Sequence, residues 1–276
     1  MERAIVISDT HVGSWWGLLP TRMFNADTNP FQKWVMNCWG DMIKMVGVSV
    51  DHIFLVGDLT DGAAMKSAGV DVTSTDLDNQ VAWTCELLKP IVGKNTKVYG
   101  VDGSGYHSGK ETNTDRRIVE YFNGKYEKAT LHLKIGNKII QLNHASGAMR
   151  LQLEMDKNKK YAQETHTVLP DLLLRGHVHQ YKRVEDASMG AISCPCWQYP
   201  TPFIERRSTA TKWDIGFLAM EFDKDILKIY PKLYPIPLDV IEQMRGYTNI
   251  ITKSCGASGN RGTPSGWLKL NRERRW

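Results

Sequence analysis

The sequence predicts an α/β layered fold with a mixed sheet. Short apolar runs rich in β-branched residues end in polar residues, as in residues 4–7 before Asp9 and residues 53–56 before Asp58. Such runs are typical of buried strands whose carboxyl ends carry reactive side chains. Helical patterns separate the early strands, whereas the later strands pair as hairpins, and this order indicates an α/β layered domain.

The first half of the chain alternates strands and helices. Residues 31–46 carry apolar side chains at helical spacing, a stripe that is typical of core packing. Residues 79–88 predict a second helix that ends near Pro90, and residues 97–99 predict a third short strand. This strand leads into the glycine-rich loop 100–109.

The second half is richer in hairpins. Residues 131–143 alternate on either side of a Gly-Asn pair, which is a strong hairpin signal, and the second strand of this hairpin leads to His144. Residues 171–175 predict another buried strand. Residues 216–222 and 226–230 predict a second hairpin that turns at an Asp-Lys-Asp triplet.

Length and charge indicate one domain, residues 1–252, and a basic tail, residues 253–276. A chain of 276 residues that is 42% hydrophobic can form a full core. The tail holds six basic residues and one acidic residue, whereas the rest of the chain balances 29 basic against 29 acidic residues. Residues 256–266 are rich in Gly, Ser, Asn and Pro and predict a linker within this tail.

The composition also predicts a cytoplasmic protein. Five cysteines are an odd number in a chain of this size, and they indicate reduced thiols. The sequence starts without a charged and then apolar leader, so we expect no secretory signal. No apolar run approaches the roughly 20 residues that cross a bilayer. We therefore expect no membrane contact, and the sequence leaves the oligomeric state open.

Six candidate metal ligands follow the predicted strands. Each is weak evidence alone, because an aspartate after glycine is often a turn former and a lone buried histidine is more often a core residue. Open α/β sheets place ligands at the carboxyl ends of their strands, where all six stand. Mixed oxygen and nitrogen donors suit two borderline divalent ions. The six are Asp9, His11, Asp58, His144, His177 and His179.

These motifs, in this order, resemble those of the calcineurin-like metallophosphoesterases over about residues 3–220. The resemblance implies a four-layer α/β/β/α sandwich with mixed sheets and two divalent ions bridged by Asp58 and a hydroxide. It places Asp9, His11, Asp58 and His179 on one ion and Asp58, His144 and His177 on the other. Manganese is the expected metal, and iron, zinc and nickel also suit these donors.

The 196–202 segment and a Gly-x-x-x-Tyr-His pattern are similar to a branch common among phage and prophage genes. One departure from the family concerns the loop after the third strand, where the family usually has Gly-Asn-His. The resemblance implies that His107 keeps the role of that histidine beside the leaving group, but the asparagine has no clear equivalent. Asp102, Ser104 or water could replace it. A third carboxylate would bring the net charge of the site to about zero, which weighs against Asp102 and favours a turn-forming role for it.

The function predicted from the resemblance is hydrolysis of phosphoesters, with His107 and Asp58 as catalytic residues. Phosphodiesters of nucleic acid or nucleotides are the first choice of substrate. In support, Arg272, Arg274 and Arg275 in the tail could follow a phosphate backbone, although such a tail is commonly just solvated. The alternatives are a phosphomonoesterase acting on phosphoprotein or a small metabolite, and a non-catalytic scaffold that keeps its metals for structure.

An insert over about residues 12–45 contains four tryptophans, at positions 15, 16, 34 and 39. Aromatic side chains near a phosphate site would favour substrates with bases, so this insert is a candidate cap over the cleft. Tryptophans are more often core residues, and that alternative remains open at this point.

Overall fold

The computed structural model describes residues 1–47, 50–63, 71–107, 113–144, 150–201 and 213–245. Within these ranges the strands are β1 (Glu2–Ile7), β2 (His52–Val56), β3 (Lys97–Val101), β4 (Lys125–Glu127), β5 (Thr130–Ile135), β6 (Lys138–Asn143), β7 (Leu172–Arg175), β8 (Lys182–Glu185), β9 (Gly190–Ser193), β10 (Ile215–Asp223) and β11 (Ile226–Tyr234). The α-helices are α1 (Pro30–Val46), α2 (Leu77–Leu88), α3 (Thr114–Tyr121) and α4 (Leu151–Thr165), and residues 238–245 are also helical. All the strands and both helices predicted from the sequence are present.

The strands form two mixed sheets. The first has the order β11-β10-β1-β2-β3-β4, in which β1 to β4 run parallel while β10 and β11 pair antiparallel. The second has the order β5-β6-β7-β9-β8, with β6, β7 and β9 parallel and the two edge strands antiparallel. This confirms the predicted α/β class with mixed sheets.

Alternating side chains of the sheets build three cores, because successive residues of a strand face opposite sides. In β1, Ala4 and Val6 face the second sheet, whereas Ile5 and Ile7 face the helices α1, α2 and α3. On the far side of the second sheet, Leu173 packs against α4. The layers are therefore helix, sheet, sheet and helix, as the sequence predicts.

The candidate cap residues belong largely to the first core. Trp16 and Trp39 are fully buried there, while Trp15 and Trp34 are partly buried and pack against it. Helix α1 starts after Asn29, whose side chain caps the first turn by accepting a hydrogen bond from a backbone N–H. Trp16 and Trp39 thus contribute to packing and offer no surface to a substrate, so the core alternative holds for them.

The cysteines, the expected lack of membrane spans and the basic tail can also be compared with the structure. The four cysteines in the described ranges are buried and form no disulfide with one another. No helix in the described part of the chain is both long and apolar enough to span a bilayer. The tail arginines 272, 274 and 275 lie outside the described residues, and the division into domain and tail stays a prediction.

Candidate metal centre

The loops after β1 and β2 run side by side and position the first ligands. The Asp9 N–H donates to the carbonyl of Gly57 over 3.0 Å, and the His11 N–H donates to the carbonyl of Asp58 over 3.1 Å. These backbone hydrogen bonds extend the pairing of two parallel strands beyond their ends. Both carboxylates, Asp9 and Asp58, are completely buried in the cleft that results.

The second sheet brings its histidines to the same place. His144 follows β6, and its Nδ1 lies 2.8 Å from the carbonyl oxygen of Val56, at the end of β2. Gly176 follows β7, and a Cβ there would lie only 2.4 Å from His144 Nδ1. Glycine is therefore required for the end of β7 to approach closely enough to present His177.

The backbone is strained at most of these positions. Nine non-glycine residues in the described ranges have positive φ, and five of them are candidate ligands. Such conformations cost on the order of 1–3 kcal/mol each and persist where the surrounding structure enforces them, often at functional sites. The five are Asp9 (φ 53°), His11 (φ 44°), Asp58 (φ 50°), His177 (φ 85°) and His179 (φ 58°).

Asp9, His11 and His179 form the first group of donors, with one ligand atom from each within 4.8 Å of the others. His179 Nε2 lies 3.0 Å from Asp9 Oδ1 and 3.3 Å from His11 Nε2. Two imidazole nitrogens and a carboxylate oxygen thus converge on one point, which is the arrangement a divalent ion requires.

Asp58, His144 and His177 form a second group within the same distance. His144 Nε2 lies 3.0 Å from Asp58 Oδ2. Asp58 also belongs to a third group, with His11 and His107, so its carboxylate lies between the two sets of ligands. The structure therefore brings together all six predicted ligands, and that they bind metal stays a prediction.

The chemistry of these donors fits divalent metal ions. His144 Nε2 and His179 Nε2 each lie 3.0 Å from a buried carboxylate oxygen, Asp58 Oδ2 and Asp9 Oδ1 respectively. The other nitrogen of His144 contacts a backbone carbonyl, an arrangement that fixes the tautomer and leaves Nε2 available as a ligand. Imidazole nitrogens and carboxylate oxygens that meet in a buried cleft are a donor set that suits borderline divalent ions.

Electrostatics keep both carboxylates ionised. Burial acts to raise the pKa of Asp9, but His179 and His144 outweigh it and lower that pKa to about 2. Burial acts in the same sense on Asp58, and His144 and His107 nevertheless hold its pKa far below the usual range. Ionised carboxylates are the form that binds metal.

The histidines show the complementary response. Burial acts to lower the pKa of His144, but Asp58 and Asp9 raise it to about 9. Burial also acts to lower the pKa of His179, but Cys196 and Asp9 raise it well above its ordinary value. In the ion-free chain, protons on the rings of His144 and His179 therefore offset the negative charge of the buried carboxylates of Asp9 and Asp58. Burial is the largest cause for the remaining pair, and it lowers the pKa of both His11 and His177.

Asp61 holds two of the site histidines, although the sequence predicts only a turn residue there. Its Oδ1 lies 2.9 Å from His11 Nδ1 and accepts a hydrogen bond from Gln198 over 3.2 Å. Its backbone carbonyl lies 2.8 Å from His107 Nδ1. A carboxylate on the far nitrogen of a ligating histidine fixes its tautomer and ring orientation. The Asp-Leu-Thr-Asp spacing was the available signal for this role.

Asp115 is a second functional residue that the sequence does not reveal. It is fully buried at the start of α3 and accepts hydrogen bonds from the N–H groups of Leu59 (3.0 Å) and Gly103 (2.8 Å). One carboxylate thereby joins the loop after β2 to the loop after β3. Burial and the nearby charge of Asp58 raise the pKa of Asp115 to about 7.

The loop after β3 gives different places to Asp102 and Ser104. Asp102 accepts a hydrogen bond from Asn113 and belongs to none of the donor groups in the described ranges. Ser104 instead donates to Asp58 Oδ1 through its N–H (2.7 Å) and its hydroxyl (3.2 Å). A Cβ on Gly103 would lie 2.1 Å from that same carboxylate oxygen, so this close approach requires glycine. Asp102 thus lies outside the donor groups of the described residues, and its tentative role as a ligand stays a prediction.

Comparison with known proteins gives similarity of fold only. No protein-family model and no curated protein matches the sequence. Vps29 of Entamoeba histolytica, in a crystal structure with Zn²⁺, is 16% identical, with a TM-score of 0.46 over 84% of this chain and 92% of that one. An archaeal phosphodiesterase is 13% identical, with a TM-score of 0.44 over 83% and 99%.

A predicted phosphoesterase of Streptococcus pneumoniae is 12% identical, with a TM-score of 0.39 over 84% of this chain and 98% of that one. At such identities the function has to be argued from the side chains of this chain. The assignment to a phage-type branch stays a prediction.

Proposed function

We propose that the protein is a phosphoester hydrolase that depends on two divalent metal ions and acts on phosphodiesters of nucleic acid or nucleotides. The observation that carries this proposal is the position of Asp58, whose carboxylate belongs to two overlapping groups of donors. Asp9, His11 and His179 would hold one ion, His144 and His177 the other, and Asp58 both. Manganese is the first candidate, with iron, zinc or nickel as alternatives.

When bound, a pair of such ions supplies a nucleophilic hydroxide near neutral pH and stabilises charge on the phosphoryl oxygens. The side chains of the chain do the remaining work. Asp61 orients His11 through a 2.9 Å contact, and Ser104 orients Asp58 through two hydrogen bonds. These contacts fix the ligands before substrate arrives.

His107 is the proposed general acid. Its ring is one-fifth exposed, and one of its nitrogens lies within 4.8 Å of a donor atom on Asp58 and another on His11. Its Nδ1 is fixed by the carbonyl of Asp61, which leaves Nε2 as the atom that can hand a proton to the leaving oxygen. General acid catalysis of this kind contributes roughly 10²- to 10⁴-fold to a rate.

The preference for diesters rests on charge. The last 24 residues carry a net charge of +5, which favours a polyanionic substrate. Hydrolysis of bis-p-nitrophenyl phosphate and of p-nitrophenyl phosphate by protein loaded with Mn²⁺, and then treated with EDTA, tests the proposal. Turnover of the diester that EDTA abolishes is the expected result.

The other outcomes identify the alternatives. Turnover of the monoester alone would indicate a phosphomonoesterase, and no turnover by fully metallated protein would indicate a scaffold. Elemental analysis is expected to give two ions per chain. Asp58→Asn is expected to lose metal and activity together, whereas Asp102→Asn, in the neighbouring loop, is the matched control and should retain both. Full activity of Asp58→Asn would contradict the proposal.

A further inference from the structure

A continuous row of ring contacts crosses the candidate metal centre. The ring of Tyr106 contacts that of His107 with 4.8 Å between centroids, and His107 contacts His11 at 4.5 Å. The row continues from His11 to His179 at 5.1 Å and from His179 to Trp213 at 4.2 Å. Three imidazoles of the site therefore lie in the middle, with an aromatic side chain at each end.

The two end rings differ from the tryptophans of the candidate cap in that each contacts a site histidine. Tyr106 is 41% exposed, although its ring packs edge-on against a site histidine. Trp213 is half-buried, packing against the first core as well as against His179. Both rings thus combine a fixed position with contact to solvent at the edge of the site. Apolar planar surface in that position is suited to contact with a planar ligand.

We propose that Tyr106 and Trp213 bind the bases of the substrate, and that the substrate is a phosphodiester carrying unpaired nucleobases. This inference rests on the function proposed above. A base that stacks on an aromatic side chain strengthens binding roughly 5- to 150-fold, whatever its identity. Bases within a duplex have both faces covered by their neighbours, so dinucleotides and single strands fit this site and intact duplex does not. A phosphorylated serine has no ring to offer either side chain.

Two chromogenic diesters with the same leaving group test the inference. Thymidine 5′-(p-nitrophenyl phosphate) and methyl p-nitrophenyl phosphate differ only in the nucleoside, so the ratio of their kcat/KM values isolates its contribution. We expect the Mn²⁺-loaded protein to favour the thymidine ester at least ~5-fold. The double variant Tyr106→Leu/Trp213→Leu is expected to bring this ratio close to one.

Binding provides a readout that does not depend on turnover. Calorimetry with thymidine 5′-monophosphate and with methyl phosphate should show the same ~5-fold or greater preference, which the double variant loses. The conservative pair Tyr106→Phe/Trp213→Phe keeps both rings and should keep the preference. Tyr121→Leu is the matched control, because Tyr121 is 60% exposed and its ring contacts Phe122 rather than a site histidine.

The results separate the two proposals. If the metallated protein hydrolyses neither ester, the proposed function fails. If it hydrolyses both esters with a ratio that the leucine substitutions leave unchanged, hydrolysis stands and the inference about the rings is wrong. Elemental analysis and thermal unfolding of each variant show whether it still folds and binds metal. A folded, metallated double variant that keeps the thymidine preference would overturn the inference.

Discussion

Metal binding by this protein should release protons, because its buried carboxylates hold protons on two of the proposed ligands. This can be tested by titrating EDTA-dialysed protein with Mn²⁺. In the ion-free chain the pKa of His144 is raised to about 9 and that of His179 is raised well above its ordinary value. A protonated imidazole nitrogen cannot bind a metal, so both rings must lose a proton first.

The size of the effect follows from these shifts. A histidine with a pKa of about 9 is ~99% protonated at pH 7, and each such proton weakens apparent metal affinity ~10-fold per pH unit below that pKa. His144 alone gives a dependence of ~10-fold per pH unit, and the raised pKa of His179 acts in the same direction. Affinity should therefore rise with pH. His11 and His177 have lowered pKa values and release no proton at pH 7.

Calorimetric titration in two buffers of different ionisation enthalpy counts these protons directly. At pH 7 we expect about one proton released from His144 on full metal loading, with further release from His179 and from any metal-bound water that becomes hydroxide. Apparent affinity measured at pH 6, 7 and 8 should rise at each step. His132→Gln is a suitable control, since His132 lies on the exposed side of the β5–β6 hairpin and outside the donor groups. No proton release, or a metal affinity that stays constant from pH 6 to pH 8, would show that the ligand histidines carry no protons before metal binds.

The same shifts determine the stability of the ion-free protein. The raised pKa of His144 contributes stability that is fully present below its ordinary pKa of 6.5 and is lost as pH rises through about 9. The lowered pKa of Asp9 contributes stability that is present above 3.8 and is lost as pH falls through about 2. Bound ions supply the positive charge in place of the protons, so metal should remove the alkaline loss.

Three substitutions test the residues that support the site. Asp115→Ala leaves two buried N–H groups without an acceptor, which should lower the free energy of unfolding by roughly 1–3 kcal/mol for each group. Urea unfolding measures this loss. A variant with wild-type stability would contradict the structural role of Asp115. Glu154→Gln removes the negative charge that lies 3.0 Å from buried Arg175. We expect it to lower the free energy of unfolding by about 3 kcal/mol in the same assay. An unchanged urea midpoint would contradict a stabilising role for this ion pair. Asp61→Ala removes the carboxylate that orients His11 and should weaken metal binding ~10- to 100-fold. Calorimetry measures the metal affinity of the variant. A wild-type affinity would contradict the orienting role of Asp61.

The sequence predicts eight of the eleven strands, missing β4, β8 and β9, and it predicts helices α1 and α2 but not α3 or α4. Strands β1 and β2 are buried on both faces, so they appear as continuous apolar runs. Helix α4 buries only Leu151, Glu154 and Met155 among its 15 residues, and it therefore lacks an apolar stripe. Helix α3 has eight residues and is mostly polar. Neither pattern distinguishes a helix from a loop.

The clustering of the candidate ligands could be predicted because each lies within four residues of the end of a strand, and parallel topology brings such positions together. Supporting residues carry no such signal. Asp115 acts through backbone N–H groups from two other loops, separated from it by 56 and 12 residues. Only the folded chain shows where those donors lie. Likewise, a local concentration of tryptophans says nothing about burial, and the rings at the site are instead Tyr106 and Trp213.

The loop after β3 affects the number of carboxylates, and so the net charge, at the candidate metal centre. Ser104 contributes a neutral hydroxyl and a backbone N–H to Asp58, while Asp102 faces Asn113. The two groups that hold the six predicted ligands thus contain two carboxylates, those of Asp9 and Asp58. Two divalent ions and a hydroxide would leave these donors with a net charge of about +1, which attracts an anionic phosphodiester. A third carboxylate, from Asp102, would cancel this attraction, so the placement of Asp102 outside the donor groups is consistent with the proposed hydrolysis of phosphodiesters.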